Sequence, residues 1–293
     1  MSAVTVVRFS SLGDIVLTGA VTGALGEVTF VTSSRFVELA TRLPGVVDVV
    51  ALQAEESVSE LAARVPRQAL QVDLHASVRS RALSRRVGGE WRRVARYDFR
   101  RRWRVAFKGS PAPPVVERYG RAAGVEPVHG PWIELGVLGE GTALVPGAAH
   151  ATKRWPAERW VQLGRALGGP IVVFGGPSER ELCASIAEGI GADAVPLTES
   201  GFSATFEALA RCSRAVGSDS GLMHLAAACG LRCFTVFGST TSDDGFWAGR
   251  CTPIELSLDC RPCSRFGGAA CPVGDHYCMS ELSVDHALRV VQA

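Results

Sequence analysis

The strongest constraint on the fold is an alternation of short apolar strands with helices that runs through the chain twice. Strands joined through helices lie parallel in one sheet, so the pattern predicts an α/β protein. The predicted strands cover residues 4–9, 28–32, 46–52 and 70–74, then 142–145, 170–174, 194–197, 214–217 and 232–237.

A pause in this alternation over residues 124–141, rich in glycine and proline, predicts a domain boundary. At 293 residues the chain exceeds the usual single-domain size. We therefore expect two Rossmann-like domains, residues 1–138 and 139–293. They are expected to face each other across a cleft, with ligand bound at the carboxyl ends of the strands.

Charge is distributed unevenly, although the net charge is only +2. Residues 79–108, called the basic stretch below, hold twelve basic and two acidic side chains among five aromatic ones. One interpretation is a solvated helix face. The other is a surface for an anionic, partly apolar partner, for which lipid headgroups, lipid phosphates and nucleic acid all qualify.

Targeting signals and cysteines bear on the cellular compartment. No run of 18 apolar residues is present, and the first residues lack the pattern of a signal peptide, so we expect a cytoplasmic protein with free or metal-bound thiols. Four of the nine cysteines have the spacing C-x2-C-x7-C-x6-C, which could close a tetrahedral zinc site or form a group of reduced thiols. They are Cys260, Cys263, Cys271 and Cys278.

Two predicted strand-to-helix turns place charged side chains toward the cleft. Asp14 follows Gly13 at the start of a predicted helix, where it is a candidate general base or a helix-capping carboxylate. Lys153 and Arg154 precede another predicted helix, a position suited to a phosphate group. The glycine-lysine spacing of a P-loop is absent.

Two further turns carry candidate ligands for a sugar nucleotide. Backbone amides at Ser220 and Gly221 suit a diphosphate, and Asp219 suits sugar hydroxyls. His224 is one turn into the same predicted helix, as a ligand contact or as a half-buried histidine. Glu179 follows Gly175-Gly176-Pro177, where a carboxylate can bridge the hydroxyls of a ribose.

Taken in order, these motifs resemble glycosyltransferase family 9, the ADP-heptose:lipopolysaccharide heptosyltransferases. The resemblance extends over nearly the whole chain and implies the GT-B fold, two Rossmann-like domains facing across a cleft. The matching segments are 9–18, 146–147 with 153–156, 175–179, 219–228, 237–240 and the cysteine-bearing residues 260–279.

The resemblance also implies roles in an inverting sugar transfer. Asp14 matches the catalytic base, Lys153 the lysine that neutralises the donor diphosphate, Glu179 the ribose ligand, and Asp219 the ligand of the heptose hydroxyls. No cofactor or metal ion is expected besides the ADP-heptose donor, since no Asp-x-Asp motif is present. Residues expected beside the phosphates are Ser220, Gly221 and His224.

The implied acceptor is an anionic, lipid-linked saccharide, the lipopolysaccharide core, contacted by the basic stretch in the N-terminal half at the inner face of the inner membrane. Ala148 and Ala149 depart from the family pattern because they lack hydroxyl groups near the diphosphate. One alternative is a GT-B epimerase or hydrolase that needs no acceptor. Another is a nucleic-acid-binding module built on the basic stretch and the four cysteines, although no nucleic-acid partner is expected.

Overall fold

The computed structural model describes residues 3–198, 201–244 and 251–293. The chain divides into two compact units, Met1–Arg96 with Pro113–Glu134, and Tyr97–Ala112 with Leu135–Ala293. The last part of the basic stretch therefore groups with the second unit, whereas the sequence placed the whole stretch in the N-terminal half. The cause is a set of polar contacts described below.

The first unit is built on a five-stranded parallel sheet with strand order β3-β2-β1-β4-β5. Valines and leucines of the strands pack against helices on the faces of the sheet, as a parallel sheet requires. The elements to this point in the chain are β1 (Val4–Val7), α1 (Leu12–Leu25), β2 (Val28–Ser33), α2 (Val37–Ala40), β3 (Val46–Leu52), α3 (Val58–Arg64), β4 (Leu70–Asp73), α4 (Val78–Val87), β5 (Arg92–Arg93), α5 (Asp98–Phe107) and α6 (Val115–Ala123).

The second unit has a six-stranded parallel sheet with strand order β11-β10-β9-β6-β7-β8. Its core includes Trp160, which is fully buried. The Trp160 ring packs edge to face against the ring of Trp155, with ring centroids 5.1 Å apart. The elements are β6 (Gly141–Val145), α7 (Ala157–Leu167), β7 (Ile171–Phe174), α8 (Arg180–Ile190), β8 (Ala194–Leu197), α9 (Phe202–Ala210), β9 (Cys212–Ser218), α10 (Gly221–Ala228), β10 (Arg232–Val236), β11 (Cys251–Ile254), α11 (Tyr277–Ser280) and α12 (Val284–Gln292).

Local differences from the sequence expectations have physical causes. The sequence predicts one helix over residues 34–43, whereas the structure has a 3-10 turn, Ser34–Phe36, followed by the short α2, and Pro44 disfavours helical backbone at Leu43. The sequence predicts a helix over residues 220–229, whereas α10 begins at Gly221 and Ser220 is its N-cap residue.

Each sheet brings several loops to one edge, which is what positions the candidate site residues. In the second unit β6 lies between β7 and β9, so the loops that follow these three strands are neighbours. Within the part of the chain that the structure describes, no helix is long and apolar enough to cross a membrane.

Candidate active site

Asp14 lies in the first turn of α1, next to the carboxyl end of β1. Its Oδ2 accepts hydrogen bonds from the backbone N–H of Ser11 at 3.3 Å and from the Ser11 hydroxyl at 2.8 Å. The same oxygen contacts Nη2 of Arg8 at 2.6 Å, while 31% of the Asp14 side chain stays exposed. Asp14 therefore caps the helix and also presents a carboxylate to solvent, and its role as the general base stays a prediction.

Two partners of Asp14 were not identified from the sequence. Arg8 is held in place because its Nη1 donates to the carbonyl oxygen of Leu74 at 2.7 Å. Tyr119, fully buried on α6, donates its hydroxyl to Oδ1 of Asp14 at 3.4 Å. Burial raises the pKa of Tyr119 well above its usual value, so the hydroxyl keeps its proton.

A buried carboxylate supports the neighbouring loop after β4. Asp73 is fully buried and accepts hydrogen bonds from the backbone N–H groups of His75 and Ala76, the Ser80 hydroxyl and Nε of Arg93, all between 2.8 and 3.0 Å. Burial, followed by the nearby charge of Arg8, lowers the pKa of His75 to about 4. His75 is therefore neutral at physiological pH.

In the second unit, the structure brings two of the predicted donor ligands together. Nζ of Lys153, in the 3-10 turn after β6, contacts Oδ2 of Asp219 at 2.6 Å. The hydroxyl of Thr240, after β10, donates to the same oxygen at 2.9 Å. Only 12% of the Lys153 side chain and 17% of the Asp219 side chain are exposed. The two residues therefore act as each other's counter-ion, a contact that the sequence did not predict.

The start of α10 lies directly after Asp219 and has the features of an anion site. Ser220 is the N-cap residue, and its buried hydroxyl oxygen has no hydrogen-bond partner among the residues that the structure describes. Gly221 opens the helix, where N–H groups and the positive end of the helix dipole attract anions. His224 is half-buried in the first turn of the same helix.

Glu179 lies at the adjacent loop, after β7. Its Oε2 accepts a hydrogen bond from the backbone N–H of Gly176 at 2.8 Å. A Cβ atom at Gly147, in the loop after β6, would overlap the Glu179 carboxylate. The absence of a side chain at Gly147 thus allows the two loops to meet, and the role of Glu179 as a ribose ligand stays a prediction.

The four spaced cysteines gather around one small cavity of about 20 Å³ in the second unit. Thr152, Ser239 and His276 also line it, and His276 Nε2 lies 3.2 Å from the Thr152 carbonyl oxygen. All nine cysteines are free thiols. Among the described residues no group of three or more His, Cys, Asp or Glu side chains is placed to hold a metal ion.

A model of a known protein family matches part of the second unit. The model of the family described as glycosyltransferase family 9 (heptosyltransferase) matches residues 139–266, which include the Lys153–Asp219 pair and the start of α10. We call residues 139–266, which match this model, the family 9 domain. The family resemblance noted from the sequence motifs is thereby confirmed.

A curated relative of this chain is lipooligosaccharide heptosyltransferase 2 of Campylobacter jejuni, serotype O:2. It is 28% identical over 156 residues, which are 50% of this chain and 48% of the relative. A second, from serotype O:6 of the same species, is 26% identical over 159 residues, 51% of this chain and 49% of the relative. The chain thus spans about half the length of the curated relatives it matches.

Solved structures extend the likeness of fold to the whole chain. A family 9 glycosyltransferase from Veillonella parvula covers 99% of this chain and 96% of its own, with a TM-score of 0.78 and 17% identity. E. coli heptosyltransferase WaaC, solved with ADP-2-deoxy-2-fluoro heptose, covers 99% of both chains, with a TM-score of 0.72 and 19% identity. The predicted α/β fold class, GT-B with two Rossmann-like domains, is confirmed.

Proposed function

We propose that the chain is an inverting, metal-independent glycosyltransferase that moves a heptose or a related sugar from an ADP-sugar to an inner-core lipopolysaccharide acceptor. The observation that carries the proposal is the Lys153–Asp219 pair beside the N-terminus of α10, inside a family 9 domain. A cation, the amides at a helix N-terminus and a carboxylate that can bind hydroxyls lie at one place, and they match the parts of a nucleotide sugar.

The donor half of the mechanism uses this group of residues. Lys153 and the amides at Ser220 and Gly221 bind the diphosphate and stabilise the negative charge that develops on it as ADP leaves. Asp219 binds hydroxyls of the transferred sugar, and Glu179 binds the ribose. His224 completes the phosphate side of the site.

The acceptor half uses Asp14 as the general base. The carboxylate takes the proton of an acceptor hydroxyl, whose oxygen forms a bond to the anomeric carbon of the donor while the bond from that carbon to the diphosphate breaks. Arg8, at 2.6 Å from Oδ2, orients the carboxylate. Oδ1, with its longer contact to Tyr119, is the oxygen that receives the proton.

We infer that the acceptor is an anionic, lipid-linked saccharide and that arginines of the basic stretch contact it. On α4 these include the exposed Arg79, Arg81, Arg85 and Arg86. We place the reaction in the cytoplasm, at the inner face of the inner membrane. It requires no cofactor besides the donor and no nucleic-acid partner.

The test measures ADP release from ADP-heptose with and without extracted lipopolysaccharide core. Removal of a general base costs about 10²- to 10⁴-fold in rate, so Asp14→Asn is expected to lose acceptor-dependent release by that factor while ADP-heptose binding persists. Asp48→Asn, an exposed carboxylate of the same unit, serves as the matched control and keeps the wild-type rate.

Other results would change the assignment. Release of ADP at the same rate without acceptor would favour a hydrolase, whereas conversion of the donor into an isomeric ADP-sugar without net release of ADP would favour an epimerase. Absence of both ADP-heptose binding and turnover in the wild-type protein would refute the donor assignment and leave the fold intact.

A further inference from the structure

Helix α5 carries three large aromatic side chains on its solvent side. Phe99, Trp103 and Phe107 are 78%, 51% and 65% exposed, and no residue of α5 is buried. Their spacing of four residues aligns them along one face, with ring centroids 6.2 Å apart for the first pair and 4.2 Å for the second. We call these three residues the aromatic stripe.

The helix is held to the second unit by its other side. Nζ of Lys108, the residue after α5, donates to the carbonyl oxygens of Cys260 and Pro262 at 2.7 Å each. The guanidinium of Arg101 lies 4.6 Å from the ring centroid of Phe266. The exposure of the aromatic stripe is therefore not the result of a detached helix.

Helical geometry places the stripe and the anchors on opposite sides. At about 100° per residue, Asp98 and Arg101 project roughly 140–160° away from Trp103. Asp98 faces Arg265 at 3.7 Å, in agreement with that direction. The exposed Arg100 and Arg102 project to either side of Trp103, at about 60° and 100°, and so border the stripe.

An anionic lipid surface fits this arrangement better than other partners. Aromatic rings lie at the level of lipid headgroups, and bordering arginines pair with lipid phosphates. Two copies of α5 placed face to face would oppose arginine to arginine. A stacked nucleic-acid base finds no gap between Trp103 and Phe107, whose rings already pack together.

We propose that α5 is a membrane-docking helix, which lays the aromatic stripe into the headgroup region of an anionic bilayer while Arg100 and Arg102 bind lipid phosphates. The proposal rests on the proposed function only in that a lipid-linked acceptor gives such docking a purpose. Docking by α5 would hold the family 9 domain itself at the lipid surface, because α5 is fastened to that unit.

The test is co-sedimentation of the full chain with vesicles of phosphatidylethanolamine and phosphatidylglycerol, compared with vesicles of phosphatidylcholine alone. We expect binding to the anionic vesicles only, weakened at least tenfold by the triple substitution F99S/W103S/F107S. The matched control V47S/V137S/V195S removes three other exposed apolar side chains and is expected to bind like wild type. Circular dichroism and thermal unfolding verify that both variants fold.

A second variant distinguishes the contribution of the arginine charges from that of inserting the aromatic stripe into the bilayer. We expect R100S/R102S to weaken vesicle binding and to reduce its dependence on salt. Equal binding by wild type and the stripe variant, or no binding of wild type to anionic vesicles at low salt, would overturn the proposal. So would stripe-dependent dimerisation, or stripe-dependent binding to a single-stranded oligonucleotide in preference to vesicles. Since the vesicle measurement needs neither donor nor turnover, its failure is distinguishable from failure of the proposed transferase activity.

Discussion

The neutral, half-buried His75 makes the stability of the first unit depend on pH. Its pKa is lowered from the usual 6.5 to about 4, so the unfolded chain takes up this proton before the folded one as the pH falls. The contribution of neutral His75 to the free energy of unfolding is therefore fully present above pH 6.5 and is lost as the pH falls from 6.5 to 4. At 1.36 kcal/mol per pKa unit, the loss is about 2 kcal/mol at pH 5 and reaches about 3 kcal/mol below pH 4.

Substitution of His75 by Asn removes this proton uptake. Urea unfolding at pH 7 and pH 5 is expected to show that the free energy of unfolding of the wild type falls by about 2 kcal/mol more than that of His75→Asn. His129→Asn, at an exposed histidine of the same unit, is expected to follow the wild type. Equal losses in wild type and His75→Asn would refute the assignment of a lowered pKa to this side chain.

Three further substitutions or reactions test the second unit. Gly147→Ala is expected to displace the Glu179 carboxylate and weaken ADP binding in calorimetry with little change in melting temperature, whereas a wild-type affinity would contradict a role for Glu179 in the site. Lys153→Met removes a charged hydrogen-bond donor, which is worth about 1.5–3 kcal/mol, so ADP affinity is expected to fall roughly 10- to 100-fold. Iodoacetamide at pH 8 is expected to label Cys271 before Cys278, as followed by peptide mass mapping. Burial raises the pKa of Cys278 to about 11, which leaves roughly one thiolate in a thousand at pH 8. Burial also raises the pKa of Cys271, but hydrogen bonds from backbone N–H groups outweigh this effect, and the net pKa is lowered.

Controls for these experiments come from the same loops. Gly176→Ala places a Cβ no closer than 3.8 Å to Glu179, an ordinary contact, and is expected to keep ADP affinity. Arg154→Met removes a neighbouring cation whose Nε donates to the Ala148 carbonyl oxygen, and a loss of ADP affinity equal to that of Lys153→Met would argue against a specific role for Lys153. Labelling of Cys278 at the rate of Cys271 would show that the cysteine cavity opens readily.

The parallel sheets were predictable because a strand that is buried on both faces has a continuous run of apolar residues in the sequence. The sequence also predicted that the candidate donor ligands share one edge of the second sheet, because the loops after neighbouring parallel strands lie side by side. The pairing of Lys153 with Asp219 did not follow. These residues are 66 positions apart in the chain. Strand order predicts that they lie at the same edge of the sheet, but it does not predict the distance between their side chains.

Other features had no sufficient signal in the sequence. Tyr119 reaches Asp14 from a helix 105 positions further along the chain, so no local pattern connects them. Helix α5 escaped prediction because none of its residues is buried and the usual apolar face toward a core is missing. Its one signal is the four-residue spacing of Phe99, Trp103 and Phe107.

The Lys153–Asp219 ion pair makes donor recognition an exchange of partners. Before the donor arrives, each charge is already compensated at 2.6 Å, so the site offers little net attraction to a simple anion. Inorganic phosphate would bind Lys153 and leave the Asp219 carboxylate without a cation. Few water molecules reach that carboxylate, so the loss of its counter-ion is costly. A sugar diphosphate replaces both halves of the pair at once, with phosphate for the lysine and hydroxyls for the aspartate. The pair would thus discourage occupation by the abundant small phosphates of the cell and favour ligands that carry the sugar.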